Sequence, residues 1–136
     1  MRLGKKILIV EDEAIAALSL KELLEHWEYE TCEPAASGQE AIGMAESERP
    51  DIILMDIKLR GEMDGIGAAR EITSRRMVPI IFMSGYSEDE MHRKAELEYT
   101  AFLRKPIDLD DLKKALESAA GSATVVRPDW PGQIIG

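Results

Sequence analysis

Short apolar runs alternate five times with stretches of helical periodicity along this chain, and few architectures accommodate that order. The runs KILIV (6–10), DIILM (51–55), PIIFM (79–83) and TAFLR (100–104) have strand length, with YETCE (29–33) a weaker fifth. Apolar residues then recur at helical spacing: Ile15, Leu18, Leu23, Leu24 and Trp27; Ala41, Ile42 and Ala45; Ile66, Ala69 and Ile72; Leu109, Leu112, Ala115, Leu116 and Ala119. Each set predicts a helix with one apolar stripe. The segment 88–98 is the weakest, offering Met91, Ala95 and Leu97 among many charges. Strands that are apolar on both faces need cover on both, so the pattern predicts a parallel sheet flanked by helices, with right-handed crossovers.

Helix starts are marked by side chains able to accept otherwise unpaired backbone N–H groups. Ser37 with Glu40 and Ser87 with Glu90 read as capping boxes, and Asp64 and Asp108 as simple caps. A chain of 136 residues, 45% of them hydrophobic, suits one domain, placed here at 1–120. Residues 121–136, GSATVVRPDWPGQIIG, have no period and read as a tail or a linker.

Acids outnumber bases 26 to 17, for a net charge of −9, which disfavours nucleic acid and anionic membrane as direct partners. Cys32 is the single cysteine, so no internal disulfide can form, and no zinc spacing is present. The basic start MRLGKK precedes too short an apolar run for a signal peptide, and no run approaches the ~18 apolar residues of a membrane span. A cytoplasmic, soluble protein is expected.

In a parallel sheet all strands end at one edge, where ligands bind. Glu11 and Asp12 follow the first run, Asp56 the third and Ser84 the fourth, and Lys105 closes the fifth. Any one of these alone is what a strand end ordinarily carries. Together they form a chemically coherent set. Three carboxylates at one edge repel one another unless a cation sits among them, and magnesium suits a site with few carboxylates plus phosphoryl oxygens. A flavin or nucleotide site would instead place a Gly-rich or Ser/Thr-rich loop after the first strand, where this chain is acidic. With a metal in place, Asp56 can act as nucleophile toward an activated phosphoryl group, Lys105 as a fixed charge and Ser84 as a hydroxyl donor.

The elements LIVEDE, DIILMDI, MDG at 63–65, IIFMSGY and FLRKP, in this order, resemble the receiver domain of two-component response regulators over about Lys5 to Ala120. The resemblance implies a flavodoxin-like, doubly wound (βα)5 fold with a five-stranded parallel sheet of order 2-1-3-4-5. It implies Asp56 as phosphoacceptor, with magnesium (manganese as substitute) held by Glu11, Asp12, Asp56 and the backbone carbonyl of Lys58. Ser84 and Lys105 would bind the phosphoryl group, Phe102 would occupy the switch position, and Pro106 would follow a cis peptide bond. The partners implied are a sensor histidine kinase or histidine phosphotransfer protein, an unknown downstream protein and a phosphorylation-linked homodimer. The output would be altered binding through segments 88–98, 100–104 and 108–119, with no enzymatic activity beyond the domain's own phosphorylation and dephosphorylation.

The chain departs from the family pattern in places. KLRGEMDG lacks the common proline and is slightly longer, leaving the placement of Lys58 and Arg60 open. FMSGY is similar to a subset of receivers with a Phe-x-Thr/Ser-Gly-Tyr signature, in which Tyr86 would shield the phosphoryl group. Phe102 stands where Tyr is frequent and fits a core aromatic equally well. His26, His92 and the Arg75–Arg76 pair read as surface or helix-end residues, and Met55 and Met83 as core filling. A magnesium-dependent hydrolase is the rival enzyme reading, weakened because Lys58 stands where a second Asp would serve as acid and base. A scaffold that no longer responds to phosphate is the rival of a third class.

Overall fold

The computed structural model describes residues 5–85 and 101–121. In chain order these form β1 (Lys6–Val10), α1 (Ala14–His26), β2 (Glu30–Thr31), α2 (Gly38–Glu48), β3 (Ile52–Asp56), α3 (Gly65–Arg75), β4 (Ile80–Ser84), β5 (Ala101–Arg104) and a final helix (Leu109–Gly121). The strands make one parallel sheet ordered β2-β1-β3-β4-β5. This is the flavodoxin-like arrangement that the alternation and the resemblance led us to expect. Ser87, Glu90, Tyr86, His92, the segment 88–98 and the tail from residue 122 lie outside the described residues.

β1, β3 and β4 are covered on both faces, which is why their sequences are apolar without alternation. Met55, Phe82 and Met83 are fully buried, and Phe82 pairs in register with Phe102 of β5, itself 2% exposed. β2 is only Glu30–Thr31, but Cys32 N–H donates to Ile7 O at 3.2 Å and Ala35 N–H to Ile9 O at 2.9 Å, extending its hold on β1. Register aligns the strand ends: Val10 lies beside Met55, Asp56 beside Met83, and Ser84 beside Arg104. Asp56 and Ser84 are thus the last strand residues, so both strands run one residue further than the apolar runs suggested.

The caps form at three helices. Ser37 Oγ accepts from Glu40 N–H at 3.1 Å while Glu40 Oε1 accepts from Ala36 N–H at 2.9 Å, so the box closes one residue before the cap. Asp64 Oδ1 accepts from Gly67 N–H at 2.8 Å, and Asp108 Oδ1 from Asp111 N–H at 3.0 Å. Each such cap contributes about 1 kcal/mol. At the end of α3, Arg75 pairs with Glu46 and Glu71, and Arg76 donates to the Pro50 carbonyl. Among the described residues no helix is long and apolar enough to cross a membrane.

One expected stripe is rotated, and another loses only its first residue. α1 buries Ala17 and Leu24, with Leu20, Leu23 and Trp27 partly covered, and turns Ile15 (82% exposed) and Leu18 (54%) outward. The reason is competition: spacing at 17, 20, 24 and 27 makes a continuous stripe, and Ile15 and Leu18 fall off it. The final helix buries Leu112, Ala115 and Leu116 and leaves Leu109 exposed in its first turn.

Candidate functional site

Three strand ends and the peptide after β5 converge at the carboxyl edge of the sheet. Where β1 ends, Glu11 N–H donates to Ala35 O at 2.9 Å, and Glu11 Oε2 accepts from Glu13 N–H at 3.1 Å. That turn folds the Glu11 carboxylate inward, leaving the residue 3% exposed. Asp12 is half-buried beside it. Asp56, closing β3, is 4% exposed; its Oδ1 accepts from Lys58 N–H at 3.2 Å, which draws the Lys58 peptide over the carboxylate. Its Oδ2 accepts from Lys105 Nζ at 2.9 Å, and the same ammonium reaches Glu11 Oε1 at 3.2 Å. Lys105 is anchored through its own N–H to Ser84 O at 2.7 Å, and the Lys105–Pro106 peptide bond is cis. Ser84 ends β4 and is 1% exposed.

One carboxylate oxygen from each of Glu11, Asp12 and Asp56 lies within 4.8 Å of the others. The structure therefore brings together Glu11, Asp12, Asp56 and Lys105, with Ser84 on the adjoining strand end. Phe102 lies apart from them, packed in the core, and Tyr86 is outside the described residues. Burial raises the Asp56 pKa against the opposing pull of Lys105, and the charge of Glu11 pushes the same way as burial. For Lys105, burial works to lower the pKa, but the bonds to Asp56 and Glu11 outweigh it and the ammonium is held more tightly than usual. Lys105 thus neutralises the pair Glu11 and Asp56 incompletely. A tight, oxygen-only donor set with surplus negative charge fits a hard divalent cation such as magnesium.

Two site contributors escaped the reading of strand ends. Gly65, the first residue of α3, packs so closely on β3 that a Cβ there would stand 2.1 Å from Asp56 O and 2.8 Å from Ile57 Cα. Arg60 donates its N–H to Asp12 Oδ2 at 3.0 Å. Gly65 had a visible signal, its place in MDG just after a strand. Arg60 was named in that loop with its placement left open, because a loop side chain's partner is set by the loop's path.

Comparison with known proteins gives a consistent picture. The family described as response regulator receiver domain matches residues 7–117. The transcriptional regulatory protein PdtaR of Mycobacterium tuberculosis is 40% identical over 116 residues, covering 85% of this chain and 56% of that protein. The chain thus spans little more than half the length of that relative. Sporulation initiation phosphotransferase F of Bacillus subtilis is 35% identical, with 85% of this chain and 93% of that protein covered. Among solved structures, the receiver domain of sensor histidine kinase PA1611 from Pseudomonas aeruginosa, with a magnesium ion in its active site cleft, matches at a TM-score of 0.76. It is 32% identical, covering 88% of this chain and 99% of that one.

Proposed function

The chain belongs to the family of response regulator receiver domains, and on that premise we propose that it is a phosphorylation-controlled switch whose phosphoacceptor is Asp56. The observation that carries this reading is the Lys105 ammonium bridging Asp56 and Glu11 at 2.9 and 3.2 Å, with Asp12 in the same cluster. The phosphoryl donor is a phosphohistidine of a sensor kinase or phosphotransfer protein. An Asp56 carboxylate oxygen attacks phosphorus, the P–N bond breaks, and its electron pair leaves on the imidazole, giving an aspartyl phosphate. Glu11, Asp12, Asp56 and the Lys58 carbonyl would hold magnesium, which when bound would supply countercharge to the transferred group. Lys105 offers a second fixed charge and the Ser84 hydroxyl a donor to the transferred group.

Burial of the acceptor supports the same reading, since an acyl phosphate surrounded by protein is shielded from bulk water. The added charge draws Ser84 and Lys105 inward, Phe102 follows, and the face formed by β5 and the final helix changes its partner, a downstream protein or a second copy. The domain turns over no substrate besides its own phosphoryl group. The regulator named for the mycobacterial relative is nearly twice as long as the matched region, and its transcriptional role is not carried over.

The test is labelling from a small phosphodonor such as acetyl phosphate. Wild type should label only with magnesium present, and Asp56→Asn should not label at all. Undiminished labelling of that variant, or labelling indifferent to chelator, would refute the assignment.

A further inference from the structure

Lys105 serves Glu11 and Asp56, which leaves the third carboxylate to another cation. Asp12 Oδ2 accepts from Arg60 N–H at 3.0 Å, and the Arg60 Nε stands 3.6 Å from that same oxygen. The two ends of this pair differ sharply in exposure: the Arg60 side chain is 82% exposed and that of Asp12 is 13%. Arg60 lies in the loop between β3 and α3, where the chain carries RGE in place of a proline-containing turn, and Gly61 beside it takes φ +100°. The turn thus lays one backbone donor and one positive charge on the outer member of the carboxylate cluster.

These two contacts act in opposite senses toward a divalent ion. The backbone N–H fixes the orientation of the Asp12 carboxylate, as outer hydrogen bonds do for metal ligands generally. The guanidinium satisfies the charge that the ion would otherwise satisfy, and it repels the ion once bound. We propose that Arg60 is a positioning residue that holds the place of the cation: it compensates Asp12 in the metal-free protein and thereby sets magnesium affinity below what the three carboxylates alone would give. This rests on the proposed role of the cluster as a magnesium site. Side-chain substitution removes the charge and leaves the backbone hydrogen bond, so the two effects separate. Because the guanidinium is largely exposed, solvent screens it and the effect is a factor of about two to five in the dissociation constant.

The experiment is magnesium titration by calorimetry or amide NMR of wild type, Arg60→Gln, Arg60→Lys and, as a remote-charge control at the far end of α2, Arg49→Asn. Thermal unfolding with chelator and with magnesium accompanies it. Arg60→Gln should bind magnesium about two- to fivefold more tightly, gain a larger rise in Tm from the ion, and converge on wild type at high salt. Arg60→Lys should stay near wild type, and Arg49→Asn should match it. Unchanged or weaker binding by Arg60→Gln overturns the inference, as does equal tightening by Arg49→Asn, which would indicate a net-charge effect. A wild type that takes up no magnesium removes the proposed function and this inference together. Ordinary uptake with an indifferent Arg60 removes this inference alone.

Discussion

Asp56 keeps its charge almost out of contact with water, and burial raises its pKa despite the ammonium beside it. A carboxyl whose folded pKa exceeds its unfolded value contributes stability that is complete below the unfolded value, 3.8 here, and is lost as pH rises through the folded value. In chelator, metal-free wild type should therefore lose stability relative to Asp56→Asn as pH climbs from about 4 to neutrality. In the Asn variant Lys105 retains Glu11. Urea unfolding of both proteins at pH 4.5 and 7 checks this, and a stability gap that does not move with pH would contradict it. Saturating magnesium should narrow the neutral-pH gap, because the ion binds the folded state. Glu11, Asp12, Asp56, Ser84 and Lys105 could be read from the sequence because each closes or follows an apolar run, and a parallel sheet sends all such positions to one edge. For Arg60 the loop could be read but not the partner, since no periodicity governs where a loop side chain makes its contacts.

At the scale of elements, periodicity predicted the helices and the phase of α2, α3 and the final helix, but not that of α1. In α1 the positions 15, 18, 23, 24 and 27 and the positions 17, 20, 24 and 27 both satisfy helical spacing, and packing against β1 and β2 selects the second. The caps were readable because the partner is three residues away, and the two-residue β2 was weak in sequence because it is an edge strand with little to bury. α3 shows how an element positions chemistry. Its first residue must be small, because any side chain at Gly65 meets the Asp56 carbonyl, while Gly43 within α2 meets nothing within 4 Å. Gly65→Ala should therefore destabilise by about 1–3 kcal/mol through forced backbone displacement and slow labelling of Asp56. Gly43→Ala should stabilise by about 0.5–1 kcal/mol, because the helix interior prefers Ala and no contact is disturbed. Urea melts together with phosphodonor labelling measure both; a neutral Gly65→Ala would mean that β3 and α3 can separate without cost.

At the scale of the molecule, the unburied apolar residues of α1 fall close to the chemistry. Ile15 and Leu18 are one turn apart on the same face, and α1 begins at Ala14, two residues beyond Asp12. With a net charge of −9 the domain has little electrostatic attraction to offer a phosphorylated, anionic donor. Apolar contact beside the site is a source of binding energy that this net charge does not oppose, so this pair is suited to receive the donor protein in the proposed transfer. Neither side chain supports the core, so Ile15→Ala and Leu18→Ala should change stability by no more than about 0.5 kcal/mol. Transfer from a phosphohistidine protein should fall about tenfold for at least one of them, as when a central interface side chain is truncated. Labelling by acetyl phosphate, which needs no docking face, should hold at the wild-type rate. An equal loss with both donors would assign the pair to the site itself, and no loss with either would leave the donor to dock elsewhere on the domain. Because the contact is apolar, the defect should also persist at high salt, where a loss arising from charge would fade.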